Sequence, residues 1–166
     1  VSNAPIDDAH TLDSGVHKRR PVGSPPRVLI VDDEPLIADV LARLLADEFH
    51  VECATDGETA LDVLESVATE GESFDAIVCD LTMPNVSGMD LYDRLAISLP
   101  DAAARMIFMT GGAVTARARA FVASTTNVVI DKPIDMVELR AALERCVRGG
   151  DDERNERELE RSRRTA

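Results

Sequence analysis

Tryptophan is absent and tyrosine occurs once; with four phenylalanines, aromatics make up 3% of the 166 residues. Such a chain has no platform on which bases or sugar rings would stack. Positive charge is scarce too, with 18 Lys+Arg against 31 Asp+Glu and a formal net charge of −13. Nucleic acid and anionic membranes both call for a basic face, so neither is expected as a direct partner. No apolar run approaches the ~20 residues of a membrane span, and no signal-peptide pattern opens the sequence. The cysteines, Cys53, Cys79 and Cys146, are odd in number, far apart and in no CxxC pair. That argues against a disulfide framework or a zinc site and fits a reducing cytoplasm. No GxGxxG follows the first apolar run, which removes a dinucleotide-binding reading. What remains, 45% hydrophobic and 30% charged residues, is ordinary for a globular domain.

The acid is concentrated in the middle of the chain. Residues 27–148 hold 22 acids against 10 bases, whereas residues 1–26 are neutral and residues 149–166 carry −1. Nine of the ten central bases are arginine, and Lys132 is the lone lysine among them. Residues 1–26 contain four prolines, few periodic apolar positions and the basic run His17-Lys18-Arg19-Arg20. They read as a flexible lead or linker, the run as a solvated charge cluster. At the far end, Asp151–Arg164 has Leu159 as its sole apolar residue. Pairs such as Glu153/Arg157 and Glu160/Arg164 could hold an exposed helix, but with no apolar face to dock the segment reads as a frayed, charged tail over 149–166.

Between the ends, short β-branched runs alternate with helical periods. The runs are Val28–Val31, Val51–Ala54, Ala76–Cys79, Met106–Met109 and Val128–Ile130. The helical stripes are Leu36, Ile37, Val40, Leu41, Leu44 and Leu45; then Leu61, Leu64 and Val67–Ala68; then Met89, Tyr92 and Leu95; and last Met136, Leu139, Leu143 and Cys146–Val147. The Ala/Arg-rich Val114–Val122 gives the weakest helical signal. Strand and helix alternating over about 120 residues predict a doubly wound α/β domain with a parallel sheet. In such folds ligands bind beyond the carboxyl ends of the strands, which is where the chemistry should be sought.

After the first run stand Asp32-Asp33-Glu34-Pro35, and after the third Asp80-Leu81-Thr82-Met83-Pro84, followed by Gly88. Thr110-Gly111-Gly112 follow the fourth and Asp131-Lys132-Pro133 the fifth. Singly, each has a bland reading. Asp32 or Asp33 could cap a helix that Pro35 starts, Asp80 could be another loop acid, Thr110 a cap and Lys132 a surface lysine. Together they would bring three carboxylates, a hydroxyl and an ammonium to one pocket. Carboxylates packed that closely need a cation, and hard oxygen donors suit Mg²⁺. An ammonium and a hydroxyl donor suit phosphoryl oxygens, and a carboxylate that attacks phosphorus forms an acyl phosphate.

The motifs "VLIVDDEP", "IVCDLTMPNVSGMDL", "FMTGG" and "DKPID" resemble those of the receiver (response-regulator) domains of two-component signalling, over about residues 27–148. The resemblance implies a flavodoxin-like, five-stranded parallel sheet of order 2-1-3-4-5. It implies that Asp80 takes a phosphoryl group from a phosphohistidine on a histidine kinase or phosphotransfer domain. Asp33 and Asp80 correspond to carboxylate ligands of Mg²⁺, with Asp32 acting through metal-bound water and the Thr82 carbonyl completing the set. Thr110 matches a switch hydroxyl, Lys132 the lysine that pairs with the phosphoryl group, and Pro133 a proline that usually follows a cis peptide.

Two departures from the family pattern matter. Val129 stands where Tyr or Phe is common, so output must use the backbone and Thr110 rather than an aromatic flip at that site. Thr82 and Gly112 occupy the positions that tune loss of the phosphoryl group, and neither offers a carboxylate or amide to orient water, which points to a longer-lived acyl phosphate. The stretch from Met109 to Asp135 is most like receivers at the C-terminus of hybrid histidine kinases, and the neutral lead and non-Met start agree with that placement. A stand-alone single-domain regulator is the alternative. An Asp-nucleophile phosphohydrolase would want a second acid two residues after Asp80, where Thr82 stands. A pseudo-receiver that binds partners without phosphorylation would have no use for the full set of site residues.

Overall fold

The computed structural model describes residues 23–112 and 115–164. The β-branched runs form five strands, β1 (Arg27–Val31), β2 (His50–Ala54), β3 (Ala76–Asp80), β4 (Met106–Thr110) and β5 (Val128–Asp131). They alternate with α1 (Pro35–Leu45), α2 (Gly57–Thr69), α3 (Gly88–Ser98), the short α4 (Pro100–Ala104), α5 (Ala116–Ser124) and α6 (Met136–Arg164). All strands are parallel, in the order β2-β1-β3-β4-β5. The doubly wound fold and strand order expected from the sequence are those observed.

Period-two alternation divides each strand between two cores. Leu29, Val31, Ile77, Cys79 and Phe108 face one layer, packed by Ala60 and Leu64 of α2, Met89, Leu91 and Leu95 of α3, Ala103 of α4 and Ala118 of α5. Val28, Ile30, Ala76, Val78, Ile107, Met109 and Ile130 face the other, packed by Ala38, Leu41 and Leu45 of α1 and Leu139, Ala142 and Leu143 of α6. Burial on both faces explains why β3 and β4 lack polar alternation until their last residues, Asp80 and Thr110. Strand order reverses between β1 and β3, and crevices in open α/β sheets lie at such switch points.

Helix starts follow local chemistry. Pro35 and Pro100 open α1 and α4 at a position whose amide has no helical partner. Asp56 Oδ1 accepts from the Thr59 amide at 2.7 Å to start α2. Ser87 and Asp90 form a reciprocal capping box on α3, and Thr115 Oγ1 caps α5 through the Ala118 amide.

Two expectations need correction, and one helix went unannounced. The α1 stripe is not all core, because Leu36, Val40 and Leu44 lie outward, 76%, 46% and 48% exposed, while Ala38 takes a buried place. The helix α4 carries no sequence periodicity long enough to announce it. The charged end is helical in its backbone, since α6 runs unbroken to Arg164, rather than a frayed tail. The reading of residues 1–26 as a flexible lead, with its basic run, lies outside the described residues except for 23–26. Among the described residues no helix is long and apolar enough to cross a membrane. Cys53, Cys79 and Cys146 are all free thiols, as their spacing suggested.

Candidate functional site

Strand register sets the ends of β1, β3, β4 and β5 side by side. Val31 lies beside Cys79, Asp80 beside Met109, and Thr110 beside Asp131. The residues just past those ends therefore converge.

Asp32 is fully buried; its Oδ1 accepts from the Glu34 amide at 2.9 Å, and its Oδ2 receives the Lys132 ammonium at 3.0 Å. The N-cap of α1 is Glu34, with no side-chain cap, so neither aspartate serves as the helix cap. Asp80, also buried, accepts from the Thr82 amide through Oδ1 at 3.0 Å and from Lys132 Nζ through Oδ2 at 2.8 Å. Lys132 thus bridges residues 100 and 52 positions away in sequence. The half-buried Asp33 completes a cluster in which one carboxylate oxygen each from Asp32, Asp33 and Asp80 lies within 4.8 Å of the others.

Three carboxylates facing one ammonium leave two formal negative charges in a site made of hard oxygen donors. That is the charge and donor chemistry a divalent cation such as Mg²⁺ satisfies, and the residues present fit it. The Thr82 peptide lies against Asp80 through its amide, while the Thr82 side chain is exposed. Burial alone pulls the Lys132 ammonium down, but its hydrogen bonds and charge interactions with Asp80 and Asp32 outweigh that, holding it above the usual lysine range. It stays a cation. Burial, then the charges of Asp80 and Asp32, push the Cys79 thiol far up, so it adds no further anion beside the site.

Thr110 is buried at the end of β4. Its Oγ1 accepts from the Gly112 amide at 3.2 Å, which leaves the hydroxyl proton to be donated elsewhere. Its carbonyl accepts from the Lys132 amide at 2.7 Å, so hydroxyl and ammonium are joined by one backbone hydrogen bond. The Lys132–Pro133 peptide is cis, as the family pattern implied. Every residue picked out from the sequence, Asp32, Asp33, Asp80, Thr82, Thr110 and Lys132, lies at this end of the sheet.

Two glycines hold the Asp80 loop closer than the sequence reading recognised. A Cβ on Gly88 would run into the backbone carbonyl of Asp80, and one on Gly57 would meet Val86 Cγ1 and the Val86 carbonyl at 2.6 Å. Asp56-Gly57 ahead of an apolar helical period was a visible signal for a helix start, but nothing local showed that the residue faces the Asp80 loop.

A family profile for the response regulator receiver domain matches residues 28–144. The chain belongs to the response-regulator receiver family. Among curated relatives, the transcriptional regulatory protein TcrA of Mycobacterium tuberculosis is 32% identical over 146 residues, covering 86% of this chain and 55% of TcrA. The first curated relatives are longer, and this chain spans between about a third and a half of their length. Among solved structures, the receiver domain of the hybrid histidine kinase CckA is 30% identical, with a TM-score of 0.58 over 73% of this chain and 98% of that one. The response regulator TrrA of Thermotoga maritima, solved in complex with Mg²⁺-BeF, is 26% identical, with a TM-score of 0.60 over 73% and 98%. This receiver therefore shares its fold with domains that take phosphoryl groups from histidine kinases or phosphotransfer proteins. Val129, the departure noted in the sequence, pairs in register with Phe108 of β4.

Proposed function

We infer that this receiver accepts a phosphoryl group on Asp80 from a phosphohistidine. An Asp80 carboxylate oxygen attacks phosphorus, the P–N bond to the donor imidazole breaks with its electrons left on nitrogen, and an acyl phosphate remains. The observation that carries this reading is the Lys132 bridge, which ties Asp80 to Asp32 and ends at a peptide bonded to Thr110. When bound, Mg²⁺ supplies charge stabilisation for the phosphoryl oxygens in flight. Asp33 and Asp80 would hold it directly, Asp32 through water, and Thr82 through its carbonyl.

Once Asp80 is phosphorylated it no longer presents two anionic carboxylate oxygens, so Lys132 turns from carboxylate to phosphoryl oxygen. Thr110 turns its free proton toward the same group. The loop and helix after β4 follow, in a two-state switch. With Thr82 and Gly112 unable to orient an attacking water, the acyl phosphate is long-lived. Multiple-turnover hydrolysis has no second acid at Thr82 to drive it.

For context, the chain is read as the cytoplasmic C-terminal receiver of a hybrid histidine kinase, a reading supported by the Met109–Asp135 stretch and by the likeness to the CckA receiver. The regulatory relatives such as TcrA favour a second reading, a response regulator served by a separate kinase. The test of the phosphoacceptor reading is intact mass after incubation with a small-molecule phosphodonor, with Mg²⁺ or with EDTA. One phosphoryl increment in wild type with Mg²⁺, and none in Asp80→Asn, supports the assignment; an equal increment in Asp80→Asn overturns it.

A further inference from the structure

Among the described residues, the most exposed large apolar side chain is Ile97, at 88%, in the last turn of α3. Its sequence neighbour Ala96 borders a cleft of about 260 Å³. The cleft runs between Tyr92 and Ala96 of α3, Pro100 and Ala104 of α4, and Asn127 ahead of β5. On a helix, residues four apart form rows, so Asp93 and Ile97 make a ridge beside the row of Tyr92 and Ala96 that walls the cleft. An apolar knob and an empty hollow therefore lie side by side on one helix.

The chemistry of the hollow suits an aliphatic side chain. No charged residue lines it. Asn127 turns its side-chain amide inward, where Nδ2 donates to the Ala103 carbonyl at 2.9 Å and to the Met106 carbonyl at 2.8 Å. The surrounding face is electrically balanced. Helices α3, α4 and α5 carry Asp90, Asp93 and Asp101 against Arg94, Arg117 and Arg119, three of each, in a domain with 22 acids to 10 bases over residues 27–148. Arg117 lies 2.7 Å from Asp90 and 3.2 Å from Asp93, which neutralises the ridge next to Ile97. A second copy of this acidic chain can approach here without strong like-charge repulsion. The cleft is also remote from the carboxylate cluster: Ala104 precedes β4 and Asn127 precedes β5, whereas Asp80 and Thr110 end their strands.

We propose that the end of α3 and α4 form an interface between two copies of this chain, with Ile97 of each copy seated in the cleft of the other. Because knob and hollow share one helix, a single two-fold axis between the two α3 helices satisfies both seatings at once, as an isologous contact requires. The Asp93–Ile97 ridge of one copy then fills the groove beside it on the other. One helix end and a short turn from each copy make a small interface, so the dimer is weak and dissociates on dilution. Both phosphoacceptor ends stay open to a donor, and the inference does not depend on the phosphoacceptor reading.

Sedimentation velocity of the full chain, across the micromolar to millimolar range, tests this. Wild type should shift from monomer to dimer as concentration rises. Ile97→Ser removes the knob from a side chain that is 88% exposed, so the monomer keeps its fold. It should raise the dimer dissociation constant at least about tenfold. Ala104→Leu fills the hollow from an exposed position and leaves the knob in place, and should weaken the dimer likewise. Neither variant should self-associate, yet a mixture should, because the knob of Ala104→Leu still finds the open hollow of Ile97→Ser. Thermal melting by circular dichroism checks that both variants are folded, and both should take up phosphate as wild type does. A wild type that stays monomeric throughout overturns the proposal, as does an Ile97→Ser dimer of unchanged affinity. A mixture no more associated than its components overturns the reciprocal seating. Each of these results leaves the phosphoacceptor reading intact, which is judged by the mass increment alone.

Discussion

Replacing Lys132 by Met keeps an apolar stem of similar length and removes one charge from between two buried carboxylates. The ammonium lies 3.0 Å from Asp32 and 2.8 Å from Asp80, whose side chains are 0% and 9% exposed, while its own is 18% exposed. At an effective dielectric constant of about 20, each contact is worth about 6 kcal/mol before desolvation is set against it. Stripping one partner from such a pair costs about 3–5 kcal/mol, because the remaining charges stay buried and uncompensated. The loss should be read from urea unfolding in EDTA.

Mg²⁺ should then behave in the opposite sense. Without the ammonium the site carries three formal negative charges rather than two, so Lys132→Met should bind Mg²⁺ at least about tenfold more tightly than wild type, a gain of about 1.4 kcal/mol. Saturating the variant at about 100 times its dissociation constant should restore about 2.7 kcal/mol of stability. The combination is diagnostic, since a general packing defect would lower stability without tightening metal binding. A variant as stable as wild type in EDTA, or one stabilised by Mg²⁺ no more than wild type, would refute the reasoning.

Three further outcomes follow from the loops around the site. Gly88→Ala drives a Cβ into the Asp80 carbonyl, backbone that cannot swing aside, and should cost about 1–3 kcal/mol in urea unfolding together with a slower rate of phosphoryl uptake. Gly57→Ala meets Val86 side chain and backbone instead, and should displace the same loop enough to weaken Mg²⁺ binding by calorimetry. Ser87→Ala removes the capping box of α3 and should cost about 1 kcal/mol at neutral pH. That cost has a pH signature. The hydrogen bond from Ser87, then Arg117, lowers the folded pKa of Asp90 to about 2, so its contribution is complete above the unfolded value near 4 and is lost as pH falls through about 2. The wild-type and Ser87→Ala stability curves should therefore converge in acid, and parallel curves down to pH 2 would contradict the assignment.

The strands were legible because the runs are short, mostly apolar, rich in Val and Ile in β1, β3 and β5, and bounded by polar residues or Gly and Pro. The site was legible for a related reason: in a parallel sheet buried on both faces, a polar residue at a strand end has little other cause to be there. Asp80 and Thr110 end strands whose preceding residues are all buried. Elsewhere the pattern misled or was silent. Leu36, Val40 and Leu44 follow helical spacing as faithfully as Leu41 and Leu45 but lie on the outward side, a distinction periodicity alone cannot make when the stripe is wide. The helix Pro100–Ala104 is too short to show a period. The backbone of 151–164 is helical without an apolar face, which i,i+4 charge pairs permit but tertiary packing does not require. The edge-to-face contacts among Tyr92, Phe108 and Phe121 were invisible because the three rings lie on three elements that only the fold brings together.

The central claim is that the phosphoryl group rests on Asp80 as an acyl phosphate. The direct measurement is borohydride trapping after phosphorylation, which reduces an aspartyl phosphate to homoserine, followed by peptide mapping. The account predicts homoserine at position 80, dependent on both phosphodonor and Mg²⁺, with Asp32 and Asp33 unchanged. Homoserine at position 32 or 33 with Asp80 intact would contradict it.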